Sequence, residues 1–439
     1  MVSPAEVHKI LGKHMLTDGY DFVLDLEKSK GPWLYDSLHN KEILDFFGFF
    51  ATSTLGMNHP KMFEKEFLKK LQAASINKPT NSDVYTVEMA EFVNALDSIA
   101  APPHMKHYFF IEGGALAVEN ALKTAIDWKV RKNIAKGHKV EKGQKIIHLK
   151  EAFHGRSGYT LSLTNTFDPD KTKYFPKFNW PRITNPKITF PLNDSNLKKV
   201  EELEKQSIDE LEKAIRENPD DIAAFIMEPI QCEGGDNHFR KEYFQSVRDV
   251  TKKNDILFIV DEVQTGVGVT GKWWAYQHFD FNPDILVFGK KLQVCGIMVS
   301  DSIEDIEDHV FHVPSRINST WGGNLADMVR ATRYLQIIKE DNLVENAKIR
   351  GEEFLKGLQN IQDRFPDKVF NTRGKGLITA FDLKDTAERN RFIDKLYREN
   401  SMLALKTGEK GIRFRPSLAL EEEVVNQGLE RIEKTINSM

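Results

Sequence analysis

The chain has 439 residues, enough for a large buried core and, at roughly 150 residues per domain, for two or three structural units. Hydrophobic residues make up 40% and charged residues 29%, with 27 Gly and 17 Pro, which excludes collagen-like, mucin-like and disordered chains. A balance of 61 basic against 65 acidic residues gives a net charge of −4, so no whole-protein field draws the chain to DNA, RNA or anionic lipid, and no nucleic-acid partner is expected.

Two cysteines, Cys232 and Cys295, are too few for a disulfide framework, and the first residues lack a charged region followed by an apolar one. Both features point to a reducing, cytoplasmic setting. No apolar stretch approaches the ~20 residues needed to span a bilayer, so no membrane partner is expected. The most hydrophobic patch, 46–51, is a few residues long.

Short apolar runs alternate with helical patterns through the middle of the chain, the signature of an α/β fold with a mostly parallel sheet. Strands are predicted over 107–111, 145–149, 222–227, 256–260, 285–288 and 296–299, and several are apolar without alternation, as strands covered on both faces are. Val118, Ala121, Leu122 and Ala125 recur at helical spacing, placing a helix directly after Gly113-Gly114. The segment 193–217 repeats Leu197, Val200, Leu203, Ile208, Leu211 and Ile215 among charges and reads as a solvated surface helix without chemistry.

From Leu325 onward the pattern changes to longer helices, such as 343–358, with strands over 376–381 and 411–414, which reads as a second, smaller α+β domain. The expected division is an N-terminal segment 1–60 that joins the small domain, a large domain 61–325 and a small domain 326–439. No fixed-period repeat or Gly/Ser linker separates them, so a close interface is expected.

Asp261 stands where the 256–260 strand ends, and Lys290 where the 285–288 strand runs out. Carboxyl ends of strands in an open α/β sheet are where ligands bind. A lysine and a carboxylate brought to one crevice suit pyridoxal phosphate: the lysine forms the Schiff base, and the aspartate keeps the pyridine nitrogen protonated. Taken singly, each residue reads better as half of a buried salt bridge, and it is the pairing with the features below that reverses this. The cofactor's phosphate needs bare backbone N–H groups at a helix N-terminus, which Gly113-Gly114-Ala115 offers, although an ordinary tight turn has the same composition. Phe153, in Ala152-Phe153-His154-Gly155-Arg156, follows another strand end closely enough to face the ring, but among 29 Phe any one is as readily core. His154 reads as packed rather than catalytic.

Gly266-Val267-Gly268-Val269-Thr270-Gly271 matches G-x-G-x-x-G and, with Lys272, nearly completes a P-loop. Trp273 stands where a P-loop needs Ser or Thr for Mg²⁺, and residues 261–264 separate the strand from the first glycine. A nucleotide-binding oxidoreductase built on this loop is the alternative from a different class.

Together these residues resemble the class III aminotransferases, of the fold type I pyridoxal-phosphate enzymes. The central signature is Asp261-Glu262-Val263-Gln264-Thr265-Gly266-x-Gly268-x-Thr270-Gly271, with Pro283-Asp284-Ile285 leading to the lysine. The stretches 113–120, 289–296 and 318–324 are similar to the subgroup that acts on the ε-amine of lysine. The class usually carries Ser-Gly-Thr or Ser-Gly-Ala at the phosphate cup, Arg at the position of Val269 and a Gly-rich stretch after the lysine. These departures weaken an ornithine or 4-aminobutyrate donor more than a lysine donor.

The resemblance implies a large domain with a mostly parallel seven-stranded sheet, a smaller α+β domain, a homodimer, pyridoxal 5′-phosphate and no metal. It implies transfer of the ε-amino group of L-lysine to 2-oxoglutarate, giving glutamate and 2-aminoadipate 6-semialdehyde, which cyclises to a piperideine carboxylate. Another ω-aminotransferase, taking ornithine, 4-aminobutyrate or a polyamine, would share the cofactor residues. The register alone leaves Lys290 and Lys291 undecided as the Schiff-base lysine, and the resemblance selects Lys290. It places Gly114 and Ala115 at the phosphate, Gln264 on the phenolic oxygen, Thr320 on the phosphate of the neighbouring subunit's cofactor, and Asn318 among the substrate-binding residues. It also places Arg415 on the 2-oxoglutarate carboxylate beside the reacting carbon, Glu233 as the partner of Arg415 while the amine donor is bound, and Arg156 on the far carboxylate. The plainer reading of Glu233 and Arg415 is a permanent salt bridge between domains.

Overall fold

The computed structural model describes residues 2–439. A seven-stranded sheet runs in the order Met105–Ile111, Cys295–Ser300, Ile285–Phe288, Leu257–Asp261, Ile222–Met227, Lys145–Leu149, Arg182–Ile183. Pairing is parallel from Ile285–Phe288 through to Arg182–Ile183, and Cys295–Ser300 is antiparallel to both its neighbours. The strands Ile222–Met227, Leu257–Asp261 and Ile285–Phe288 are buried at every position, which is why their sequences do not alternate.

Successive side chains nevertheless go to opposite faces. Ile226, Ile259 and Val287 pack with Ala117, Val118, Ala121 and Leu122 of the helix Gly114–Ala135, whereas Phe225, Phe258, Val260 and Leu286 join the larger core on the other face. Asp261 sits opposite Val287 in the register, so it and the turn after Phe288 leave the sheet at the same carboxyl edge.

The N-terminal strands Leu24–Lys30, Trp33–Asp36 and Lys41–Asp45 form a sheet whose last member, Met402–Leu403, comes from the C-terminal region and pairs in parallel. A third sheet, in the order Phe370–Lys375, Ile378–Asp382, Gly411–Phe414, Leu405–Thr407, is backed by the helices Leu343–Arg364 and Thr386–Arg398, on which the helix Glu422–Asn437 packs. The strand expected from residue 376 starts at Ile378, because Gly376 has φ +55° and forms the hairpin turn.

The helix Asp194–Glu217 is less solvated than its charge pattern suggests. It buries Val200, Leu211 and Ala214, and also Ser207, whose hydroxyl lies 2.8 Å from that of Tyr243. The glycine loop 266–271 is a packing device. A Cβ on Gly266 would lie 2.6 Å from the Trp274 ring, and one on Gly271 would lie 2.7 Å from Lys348 Cβ. The helix Leu343–Arg364 thus lies where a nucleotide reading would need open space. Among the described residues no helix is long and apolar enough to cross a membrane.

Candidate active site

Asp261 closes its strand and is held from two sides. The Val263 amide donates to Oδ1 at 3.0 Å, and His154 Nδ1 lies 2.8 Å from Oδ2. Both side chains are enclosed, at 5% and 0% exposure. A buried carboxylate fixed in this way can present a directed negative charge to a ring nitrogen. The His154 ring therefore has a definite task, orienting Asp261, which the sequence left as packing.

Lys290 and Lys291 part company at a tight turn. Lys290 has φ 40° and Gln293 φ 69°, both left-handed, which a non-glycine residue rarely adopts. The Lys290 side chain enters a cavity of about 540 Å³ at the carboxyl edge of the sheet. Lys291 turns the opposite way into the interior, where its ammonium donates to the Ser53 carbonyl at 2.6 Å. Burial holds both amines below the ordinary lysine range, with Arg413 adding to the effect on Lys290 and Arg415 to that on Lys291, whose value falls to about 7. Only Lys290 faces a space that can receive a ligand.

The same cavity is lined by Gly114, Ala115, Phe153, Asp261 and Gln264, together with Val263 and Glu228. Gly113 has φ +107°, a conformation that favours glycine, and a Cβ on Gly114 would meet Val263 Cγ1 at 3.0 Å. The N-terminus of the helix Gly114–Ala135 is thereby left as bare amide, a cradle for a phosphate. A lysine, a buttressed carboxylate, a bare helix N-terminus and an aromatic wall together match the functional groups of pyridoxal phosphate.

Glu228, which the sequence reading passed over, stands at the carboxyl end of Ile222–Met227 as Asp261 does at its own strand, so the same positional rule points to it. Its two oxygens accept from the amides of Phe153, at 2.9 Å, and Cys232, at 3.2 Å. Burial pushes its carboxyl up to about 7. It fixes the backbone that presents Phe153. Behind Lys290, residues 48–51 run left-handed and bring Thr52 to the cavity, where its carbonyl accepts from Gln293 Nε2 at 2.9 Å. The hydrophobic patch 46–51 thus becomes a strained turn beside the site.

The arginine assignment changes. Arg415 is wholly buried, bonded through Nη2 to Asp236 Oδ1 and through Nη1 to the Phe414 carbonyl at 2.8 Å. It has run past the end of the strand Gly411–Phe414, and its amide donates to the Phe46 carbonyl at 2.8 Å, so the guanidinium is committed to Asp236. Arg413 lies behind the cavity wall and reaches it through Gln264: its Nη1 donates to Gln264 Oε1 at 3.0 Å and to the Cys232 carbonyl at 2.7 Å, and its Nε is buried without a partner. Glu233 does not pair with Arg415. Its Oε1 accepts from Lys171 at 2.6 Å and Thr166 at 2.8 Å, while Oε2 is buried and unpartnered.

Arg156, Asn318 and Thr320 are exposed and do not line the cavity of this single chain. Arg156 opens onto a neighbouring hollow beside Lys123 and Lys171. Thr320 lies in a segment pinned to residues 81–82, with the Asn81 amide donating to the Trp321 carbonyl at 3.1 Å.

The family described as Aminotransferase class-III matches residues 16–436. An L-lysine-epsilon aminotransferase from Amycolatopsis lactamdurans is 47% identical, over 99% of this chain and 96% of its own length. An enzyme of the same description from Streptomyces clavuligerus is 45% identical, over 99% and 94%. A solved lysine aminotransferase from Mycobacterium tuberculosis, in its internal aldimine form, superposes with a TM-score of 0.97 at 46% identity and covers the whole of both chains. The lysine, the carboxylate and the phosphate cradle stand together in a chain matched along nearly its full length, and the protein belongs to the class III aminotransferases, pyridoxal-phosphate enzymes of fold type I.

Proposed function

We propose that the protein transfers the ε-amino group of L-lysine to 2-oxoglutarate. The observation that carries the reading is Lys290 at the cavity, opposite the paired Asp261 and His154, in a chain 45–47% identical over its full length to enzymes described as acting on lysine. Pyridoxal phosphate, when bound, supplies an electron sink for the carbon that loses its proton.

The chain's own groups supply the rest. Amides at Gly114 and Ala115 would hold the phosphate, Phe153 and Val263 would wall the ring, Gln264 would bond the phenolic oxygen, and Asp261 would face the ring nitrogen. Lys290, its amine kept below the ordinary lysine range by burial, would serve as the base that takes the proton from the substrate carbon and as the acid that gives it back on the cofactor side of the nitrogen. Arg413 binds the carboxylate of 2-oxoglutarate beside the reacting carbon. While the cationic donor is bound, the unpartnered Glu233 Oε2 turns to the unpartnered Arg413 Nε, which removes the repulsion between guanidinium and amine. Arg156 holds the far carboxylate, with Asn318 beside it.

The site is completed in a homodimer, to which Thr320 contributes across the interface. Two free cysteines suit a reducing, cytoplasmic setting.

The test is spectroscopic. L-lysine added without an acceptor should bleach the visible band of the cofactor-loaded protein, and 2-oxoglutarate should restore it. Ornithine and 4-aminobutyrate should bleach it far more slowly. Equal bleaching by ornithine would move the assignment to another ω-amine, and a band that no amine discharges would leave a binding protein.

A further inference from the structure

Residues 301–313 fold back from the end of Cys295–Ser300 against Met105–Ile111, the edge strand of the large sheet. His107, on that strand, meets Glu304 and His309 from the returning segment. His107 Nε2 lies 2.6 Å from Glu304 Oε1, and His309 Nε2 lies 3.8 Å from the same oxygen. One donor atom from each of the three lies within 4.8 Å of the others.

The state of His309 sets this cluster apart from a surface ion pair. The ring is 1% exposed, yet its Nε2, aimed at Glu304, has no hydrogen-bond partner. A polar nitrogen taken out of water and left unpaired is a standing cost, and a ligand at that point removes it. A third imidazole is beside it: the His312 ring centroid is 3.9 Å from that of His309. His312 Nδ1 lies 2.7 Å from the Glu307 carbonyl, so its proton is held there and Nε2 keeps a free lone pair. Metal-binding histidines are typically oriented by such a bond on the other nitrogen.

We propose that His107, Glu304 and His309 bind a divalent first-row transition ion of the Zn(II) class, with His312 placed to supply a fourth ligand. Imidazoles with one carboxylate are a borderline donor set that suits Zn(II), whereas Ca²⁺ and Mg²⁺ take oxygen ligands. Bonds of ~2.0–2.2 Å in a tetrahedron put donor atoms roughly 3.3–3.6 Å apart. That spacing lies between the 2.6 and 3.8 Å seen here, so a small swing of the exposed Glu304 carboxylate brings both of its distances into range, and the two imidazoles, whose donor atoms lie within 4.8 Å, close on the ion. Binding through His309 Nε2 leaves the proton on Nδ1, which must release the Phe311 amide that now bonds it at 3.2 Å. Occupancy is therefore coupled to the path of 309–312 and staples this segment to the edge strand. The site owes nothing to the cofactor cavity and stands apart from the aminotransferase reading.

The test uses the intact holoenzyme after treatment with a chelator. Zn(II) is titrated in competition with a chromophoric chelator, and Co(II) is read by its visible ligand-field absorption. One equivalent per chain, a tetrahedral Co(II) spectrum and at least a tenfold loss of Zn(II) affinity in both Glu304→Gln and His309→Ala are expected, with His138→Ala binding as the parent does. Glu304 is exposed, so Glu304→Gln should retain the fold even if His309→Ala does not. Zn(II) should also raise the melting temperature of the parent and not that of Glu304→Gln. No stoichiometric binding, or an equivalent that survives Glu304→Gln unchanged, overturns the proposal.

Discussion

Two arginines two residues apart, Arg413 and Arg415, have opposite situations. Arg415 has Asp236 as a permanent counter-ion and no exposure, whereas Arg413 keeps an unpartnered Nε beside the cavity. Losing a charge-assisted hydrogen bond costs about 2 kcal/mol, or roughly 30-fold in affinity. Arg413→Gln is therefore expected to raise the KM for 2-oxoglutarate by about that factor and to affect lysine less, measured by separate half-reaction titrations. Arg415→Gln should instead lower thermal stability, because it leaves Asp236 buried and unpaired. If Arg415→Gln alone raised the 2-oxoglutarate KM in a fully folded protein, the assignment would revert to Arg415.

Glu262, next to Asp261, supports a different measurement. It is 1% exposed, accepts from Thr265 Oγ1 at 2.5 Å and the Tyr276 amide at 2.7 Å, and burial pushes its carboxyl up to about 7. Its folded-state value lies above the unfolded one, so the native state holds the extra proton between the two, and its contribution to stability grows as pH falls from 8 to 6. One proton gained across that window is worth about 1 kcal/mol. Urea unfolding should find the protein more stable at pH 6 than at pH 8, and Glu262→Gln should flatten the difference by about this amount. An unchanged difference in the variant would assign the slope to other groups.

Legibility from sequence followed the strength of the local signal in each element. The strands Ile222–Met227 and Ile285–Phe288 were readable to the residue because both faces are covered and the apolar run ends where the sheet ends. The positions of Asp261, the Lys290-Lys291 pair, Phe153 and the Gly113-Gly114 turn were readable for the same reason, being fixed by the ends of such strands. The strand Phe370–Lys375, spelled FNTRGK, carries no apolar run, and Arg182–Ile183 is too short to give a period. The lysine choice required the left-handed turn at Lys290, and no pattern of side chains encodes φ at a non-glycine residue. The engagement of Arg415 was out of reach because it depends on where the strand Gly411–Phe414 stops relative to Asp236, a contact between residues 179 positions apart. Glu228, directly after the strand Ile222–Met227, carries the same strand-end signal as Asp261.

At the scale of the whole molecule, the single chain leaves its proposed site short of one wall. Thr320 is exposed and outside the cavity, and Trp321, Tyr85 and Val87 nearby in sequence to the pinned segments 81–82 and 318–321 are 41%, 79% and 69% exposed. Large apolar side chains left in water next to such a segment are what an interface between copies would cover. If Lys290 of one copy and Thr320 of the other serve the same site, two defective chains can repair each other. A dimer of one Lys290→Ala chain and one Thr320→Ala chain contains one site with both defects and one with neither. Refolding the two variants together is therefore expected to give more activity, and firmer cofactor retention on gel filtration, than the mean of the separate homodimers. A site built within one chain predicts no gain, since every site would then carry one defect whatever its partner. Activity of the mixture at or below that mean, with mixed dimers verified by mass, would confine the site to a single subunit.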